Sequence, residues 1–181
     1  YLKGTVYCGE CRFCRRGEIN LCDNRRVLGV SCEDYNYPGA FAEYVAVPRR
    51  VLYRIPDTVF FEHAAMVEPL SIAFHAIGRT CVPLGDTAVV VGAGMIGSLV
   101  IQLLKLSGCG RVIAVDLVQE KLALAGKLGA DVLLKSDEVD VPREVFRLTG
   151  GQGADLAYEV VGITPTLRTA IDSLRKGGSL T

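Results

Sequence analysis

Two groups of residues in this chain have the types and spacing for chemistry. The first is Ala88-Val89-Val90-Val91-Gly92-Ala93-Gly94-Met95-Ile96-Gly97, an apolar β-branched run that opens into Gly-x-Gly-x-x-Gly. A helical pattern follows over residues 98–105. Each glycine has its own task. Gly92 permits a sharp turn, Gly94 offers bare backbone to a diphosphate, and Gly97 lets the helix pack closely on the strand. The helix N-terminus presents free N–H groups and the positive end of its dipole to the same point, which makes Met95 and Ile96 of the turn candidate cofactor neighbours. A second β-run, Arg111-Val112-Ile113-Ala114-Val115, ends in Asp116, nineteen residues beyond Gly97. An acid at that distance can accept both ribose hydroxyls of an adenosine, which favours NAD over NADP. Leu117 and Val118 offer no cation for a 2′-phosphate. The competing readings are an ordinary glycine-rich turn with a surface acid, or a membrane helix over the uncharged residues 87–104. Three central glycines and the strand–helix repeats beyond them argue against the membrane helix.

The second group is Cys8-x2-Cys11-x2-Cys14-x7-Cys22. Four thiolates within one short polar segment can wrap a tetrahedral ion with no open position, the pattern of a structural zinc. Arg12, Arg15 and Arg16 help offset the negative charge of such a unit. Two disulfides, an iron centre, or redox chemistry at a Cys-x-x-Cys pair are the alternatives. Cys32, Cys81 and Cys109 stand alone and read as small buried or surface residues. The same holds for His63 and His75, which have no partner at ligand spacing and read as structural histidines.

The elements that must position these residues follow from pattern and punctuation. Short strands are expected over residues 28–31, 40–47 and 51–55, with a loop at Tyr35-Asn36-Tyr37-Pro38-Gly39. Phe41 and Tyr44 are expected to pack in the core and rim of this small β lobe. Asp57 or Thr58 is expected to cap a short helix through Met66. Glu68-Pro69 breaks it, and Pro69 then opens a second helix that reaches about Arg79. From Gly85-Asp86 onward a regular βα rhythm begins. Helices are expected over 98–105, 119–128, 142–148 (capped by Asp140) and 164–176, and strands over 132–134, 156–161 and from Gly177-Gly178 to the end. Consecutive units of this kind make a parallel sheet with right-handed crossovers. A fingerprint in the first unit predicts the strand order 3-2-1-4-5-6. The order reverses between the first and fourth strands, so Val160-Val161-Gly162-Ile163 should lie beside the glycine turn. Val161 and Gly162 are therefore candidate cofactor neighbours. The fifth strand would be an open edge.

Composition sets the outer limits. At 181 residues and 50% hydrophobic, the chain can bury a proper core. A formal net charge of zero argues against nucleic acid or an anionic membrane as partner. The first residues, Tyr-Leu-Lys-Gly-Thr-Val, hold no signal-peptide apolar run, and the start on Tyr rather than Met suggests an internal fragment. An odd number of unevenly spread cysteines fits metal-bound thiolates in a reducing cytoplasm.

Together these pieces are similar to the zinc-dependent medium-chain dehydrogenases. The resemblance rests on the four-cysteine loop, Gly39-Ala40-Phe41-Ala42-Glu43-Tyr44, Val67-Glu68-Pro69-Leu70-Ser71, the glycine turn and Asp116. The Glu-Pro-Leu-Ser phrase resembles the polyol branch, that of sorbitol dehydrogenase and its sugar-alcohol and sugar-phosphate relatives. The resemblance implies an α/β subunit: a partial GroES-like catalytic lobe over residues 1–68, then a truncated Rossmann domain with strands one to five of a doubly wound parallel sheet over 69–181. It implies Cys8, Cys11, Cys14 and Cys22 on a structural zinc, and Glu68 as a ligand of the catalytic zinc or holder of its water. It places Asp116 on the adenosine ribose, with Lys121 nearby. In that family hydride passes between an alcohol and the nicotinamide of NAD(P), with zinc as Lewis acid. A small alcohol or polyol substrate and a homo-oligomeric full-length protein follow. The family's first catalytic cysteine, its Gly-His-Glu segment and its proton-relay hydroxyl belong upstream of Cys8, and its sixth Rossmann strand downstream. The chain is therefore expected to bind zinc and dinucleotide without turnover.

Overall fold

The architecture comes from a computed structural model that describes residues 1–32 and 35–181; the side chains of residues 31–35 lie outside the described set. Two compact units divide the chain, Tyr1–Ala64 and Ala65–Thr181.

In the first unit, β1 (Thr5–Val6) pairs antiparallel with β2 (Arg26–Val27). This short ladder closes the base of the cysteine segment, which carries α1 (Arg12–Arg15) and a 3-10 turn over Ile19–Leu21. A second small pair joins β3 (Ser31–Cys32) to β4 (Tyr35–Asn36). An antiparallel bridge ties Leu2 to Leu52, just after a 3-10 turn at Arg49–Val51. The boundary between the units falls within α2 (Phe61–Ala65), after Ala64.

Several expectations for this unit are corrected. Of residues 28–31 only Ser31 is in a strand, as the first residue of β3: Leu28 and Gly29 make a turn between β2 and β3, and Gly29 takes a φ of +76°, which only glycine adopts cheaply. The loop read over residues 35–39 is a strand, β4, in its first two residues. Residues 40–47 alternate in sequence but form no strand, and residues 51–55 contribute only the Leu52 bridge. Alternation fixes which side chains share a face, but a strand exists only where a second backbone pairs with it. Phe41 and Tyr44, expected in the core and rim, are exposed. The first helix begins at Phe61, too late for Asp57 or Thr58 to cap it.

The second unit opens with α3 (Val67–Gly78). Pro69 is its third residue, not its first. A missing N–H costs nothing there because the first four amides have no intrahelical partner. Five parallel strands follow, β5 (Thr87–Val91), β6 (Arg111–Asp116), β7 (Val132–Lys135), β8 (Ala154–Glu159) and β9 (Leu174–Leu180), in the order β7-β6-β5-β8-β9. In chain order this is 3-2-1-4-5, the expected doubly wound arrangement with its reversal between β5 and β8. The crossovers are α4 (Met95–Leu106), α5 (Gln119–Lys127), α6 (Val141–Leu148) and α7 (Thr164–Asp172). Asp140 caps α6 by accepting the Arg143 amide at 3.1 Å, worth about 1 kcal/mol. The fourth strand ends at Glu159 rather than 161. The helix after it stops at Asp172 rather than 176, because β9 begins at Leu174, which already pairs with Ala154.

Successive side chains of the central strands alternate between two cores. Ala88, Val90, Val112, Ala114 and Tyr158 face Val100, Ile101 and Leu104 of α4, Leu122 of α5 and Ala73 of α3. Val89, Val91, Ile113 and Val115 face Val141 and Val145 of α6 and Ala170 of α7. A sheet covered on both faces needs continuous apolar strands, which is why 88–91 and 112–115 carry no polar residue. The Tyr158 hydroxyl, buried among these groups, bonds to that of Thr80. No helix among the described residues is long and apolar enough to cross a membrane.

Candidate functional site

The cysteine segment folds so that its four sulfurs converge. The Sγ atoms of Cys8, Cys11, Cys14 and Cys22 all lie within 4.8 Å of one another. Cys8 Sγ stands 3.6 Å from that of Cys22 and 3.9 Å from that of Cys14. Four ligands at about 2.3 Å on a tetrahedron have sulfurs roughly 3.8 Å apart, so the cage suits a structural zinc. These separations are far from the ~2.05 Å of a disulfide. Backbone amides already point at the sulfurs: Cys8 N to Cys22 Sγ at 3.3 Å, Cys11 N to Cys8 Sγ at 3.4 Å, and Cys14 N to Cys11 Sγ at 3.5 Å. The amides of Glu10 and Cys11 pull the Cys8 thiol down to about 6, and those of Cys14 and Asp23 lower Cys11. Burial, aided by the neighbouring thiols of Cys11, Cys22 and Cys8, pushes Cys14 up to about 12. Arg15 Nε donates to the Glu10 carbonyl at 2.7 Å, and Arg50 donates twice to the Tyr7 carbonyl at 2.6 and 3.0 Å, bracing the segment beside the first cysteine.

The glycine turn lies at the C-terminal ends of β5 and β8. Gly92 has a φ of +102°, and its amide bonds to the Val115 carbonyl at 2.8 Å. A β-carbon at Gly92 would lie 2.7 Å from Val161 Cγ2. One at Gly97 would collide with the Gly92 carbonyl, so the third glycine is there for the turn itself more than for the strand behind it. One at Gly94 would meet nothing within 4 Å: that face of the turn is open. The first α4 bond runs from Ser98 N to Gly94 O at 2.8 Å, leaving the amides of Met95, Ile96 and Gly97 ahead of the ladder.

Asp116, the last residue of β6, reaches back to this turn. Its Oδ2 accepts the Ala93 amide at 2.8 Å, and its Oδ1 accepts the Val118 amide at 2.9 Å. Both oxygens keep lone pairs for further donors. Val161 and Gly162 stand exposed across the turn, and Lys121 is exposed in the first turn of α5. Glu68 is exposed in the first turn of α3, and its carbonyl accepts the Ser71 hydroxyl at 2.7 Å. Among the described residues no group of three ligating side chains other than the cysteines comes together. His63 and His75 are exposed, not built into the core, with the His63 ring edge-on to Phe60. Cys81 is exposed, and buried Cys109 donates its S–H to the Asp86 carbonyl at 3.0 Å. Cys32 has its side chain outside the described residues. Sequence reasoning passed over Glu159, whose carboxylate organises the loop after β8. The signal available was an acid at the end of the strand flanking the point of reversal.

Comparison with known proteins agrees with this geometry. Residues 2–57 match the alcohol dehydrogenase GroES-like domain, and residues 96–181 match the zinc-binding dehydrogenase family. The chain belongs to the zinc-binding medium-chain alcohol dehydrogenase family. Sorbitol dehydrogenases are among its relatives. It is 34% identical over 175 residues to a sorbitol dehydrogenase of Bacillus subtilis, covering 97% of this chain and 48% of that protein. Among solved structures, an oxidoreductase/dehydrogenase of unknown specificity from Escherichia coli superposes with a TM-score of 0.89 at 30% identity, over 99% of this chain and 51% of that one. A zinc-binding dehydrogenase from Sinorhizobium meliloti bound to NADP superposes with a TM-score of 0.86 at 31% identity, over 99% and 52%. The chain thus spans about half the length of the curated relatives it matches.

Proposed function

We propose that this chain is the structural-zinc and dinucleotide-binding portion of an oxidoreductase that moves a hydride between an alcohol or polyol and NAD. The observation that carries the reading is the Asp116 carboxylate anchored on the glycine turn with acceptor capacity to spare. The amides of Met95, Ile96 and Gly97 bind the diphosphate at the open face of Gly94, and the Asp116 carboxylate accepts the ribose hydroxyls. A 2′-phosphate would set its charge against that carboxylate, so NAD is preferred to NADP. Val161 and Gly162 line the opposite wall, and Lys121 stands near the adenosine end. Residues 1–68 belong to the catalytic part, and residues 69–181 to the dinucleotide part. Cys8, Cys11, Cys14 and Cys22 hold a structural zinc, whose contribution is to fold their segment. Glu68 serves the catalytic metal as ligand or as holder of its water. The likeness to sorbitol dehydrogenases and to a D-arabitol-phosphate dehydrogenase supports a polyol or its phosphate as substrate.

A second reading applies to the 181 residues taken alone: binding of zinc and dinucleotide without turnover. The single cysteine cluster among the described residues favours it. Titrating the chain with NADH and NADPH by cofactor fluorescence, followed by a sorbitol oxidation assay with zinc supplied, tests both. NADH binding tighter than NADPH is expected. No response to either sinks the dinucleotide reading, and zinc-dependent turnover sinks the second.

A further inference from the structure

The loop that leaves β8 is held from within by one carboxylate. Glu159, the last residue of β8, stands in register with Val91, the last residue of β5. Glu159 Oε1 accepts the Val161 amide at 2.9 Å, the Gly162 amide at 3.0 Å and the Thr166 hydroxyl at 2.7 Å. Its Oε2 also receives the Gly162 amide, at 3.2 Å. One side chain therefore joins a strand end, a loop and the first turn of α7. Gly162 takes a φ of +87°, which turns its amide back toward the carboxylate. Burial alone would raise the Glu159 carboxyl, but the Thr166 hydroxyl and the amides of Gly162 and Val161 outweigh it and hold it below the ordinary carboxylate value.

The other side of the same loop faces the glycine turn. A β-carbon at Gly92 would lie 2.7 Å from Val161 Cγ2 and 3.2 Å from Val160 Cγ2. The Val160 amide still belongs to the sheet, donating to the Val91 carbonyl at 3.0 Å. Beyond Val160 the sheet no longer fixes the backbone, and the Glu159 carboxylate takes over.

We infer that Glu159 is a positioning residue for the dinucleotide groove: it fixes the 161–162 backbone against the glycine turn and so sets the width of the crevice without touching the ligand. The inference rests on the dinucleotide reading of the turn. A carboxylate receiving several donors holds a loop more firmly than one neutral bond, and a preformed wall spares the ligand the cost of ordering it.

The test uses the 181-residue chain, NADH fluorescence titration and amide hydrogen exchange. Glu159→Ala is expected to weaken NADH binding about tenfold, the scale of one charged hydrogen bond. It should lose exchange protection at Val161 and Gly162 while Val90 and Ile113 in the sheet keep theirs. Glu159→Gln, which retains one acceptor oxygen, should recover part of both signals, and Thr166→Val should weaken binding by less than Glu159→Ala. Unchanged NADH affinity in Glu159→Ala, beside a wild-type chain that binds, overturns the inference alone. Protection lost equally at Val90 and Ile113 also overturns it, because the role would then be general stability. Should Glu159→Ala not fold, Glu159→Gln and Thr166→Val decide by the same criteria. A wild-type chain that ignores NADH overturns the dinucleotide reading and this inference with it.

Discussion

The carboxylate of Asp116 accepts a hydrogen bond from the amide of Ala93 at 2.8 Å, joining the end of β6 to the glycine turn after β5. Ala93 is buried, so its N–H has no ready substitute in water. Asp116→Ala should therefore destabilise the second unit by about 1–3 kcal/mol, the cost of a stranded buried donor. It should also abolish the fluorescence response to NADH. Asp116→Asn keeps an acceptor and most of the stability, but gives up the charged partner of the ribose, so NADH affinity should fall about tenfold. Urea unfolding and cofactor titration measure the two effects separately. Full NADH affinity in the Asn variant would remove Asp116 from the ribose site.

Gly94 and Gly97 should respond to alanine in opposite ways. At Gly94 an added β-carbon meets nothing within 4 Å, and its φ of −71° suits any residue. Gly94→Ala should change stability by less than about 0.5 kcal/mol, yet its methyl group would occupy the face a diphosphate approaches and weaken NADH binding. At Gly97 the β-carbon would collide with the Gly92 carbonyl, a backbone atom with no rotamer to relieve it. Gly97→Ala should cost about 3 kcal/mol in folding. Equal loss of stability in both variants would contradict the open face at Gly94.

The contrast between well-read and misread elements has a physical origin. The run 88–97 states its strand, its turn and its helix within ten consecutive residues, and the structure adds only the register. Asp116 was legible because a strand, a turn and a crossover helix have nearly fixed lengths, so spacing stands in for position. Residues 40–47 were not legible, because their alternation says nothing about whether a neighbouring backbone is available to pair. Phe41 and Tyr44 then have no core to enter. Glu159 was missed because its role depends on Gly162 turning left-handed and on Thr166 returning one helical turn later, a tertiary coincidence that neither residue announces alone.

Removing zinc should unravel the cysteine segment and leave the parallel sheet intact. The segment has a four-residue helix, a 3-10 turn and two-residue strands at its base, and Cys22 is its one buried cysteine. Such a loop depends on metal for its folding energy. One zinc per chain is expected by elemental analysis. A strong chelator should expose four additional reactive thiols and reduce exchange protection over residues 8–22, with the protection at Val90 and Ile113 unchanged. Because thiolates must form before they bind, the affinity should fall as the pH is lowered. Protection over residues 8–22 that survives chelation would show that the protein cage holds by itself.

Asp155 should carry much of the acid sensitivity of the second unit. It accepts the Thr87 amide on Oδ2 at 2.8 Å and Arg175 Nε on Oδ1 at 2.6 Å, tying the start of β5 to β9 through β8. Burial by itself raises its carboxyl, but the Arg175 guanidinium and the Thr87 amide more than offset this, so it titrates below the ordinary value. A group depressed in the folded state stabilises fully above its unfolded value, about 3.9, and loses that contribution as the pH falls through the folded value. Asp86 works the other way. Burial first, and repulsion from Asp155 second, raise its carboxyl, so its ionisation opposes folding as the pH rises. Asp155→Asn removes the carboxylate charge that pairs with Arg175 and, with it, the repulsion on Asp86. It should cost about 1–2 kcal/mol near neutral pH, and progressively less below about pH 4. Urea unfolding of both proteins between about pH 3 and about pH 7 checks this, since the two stability curves should converge on the acid side. Curves that stay parallel would mean that Asp155 acts through packing, with its charge playing no part.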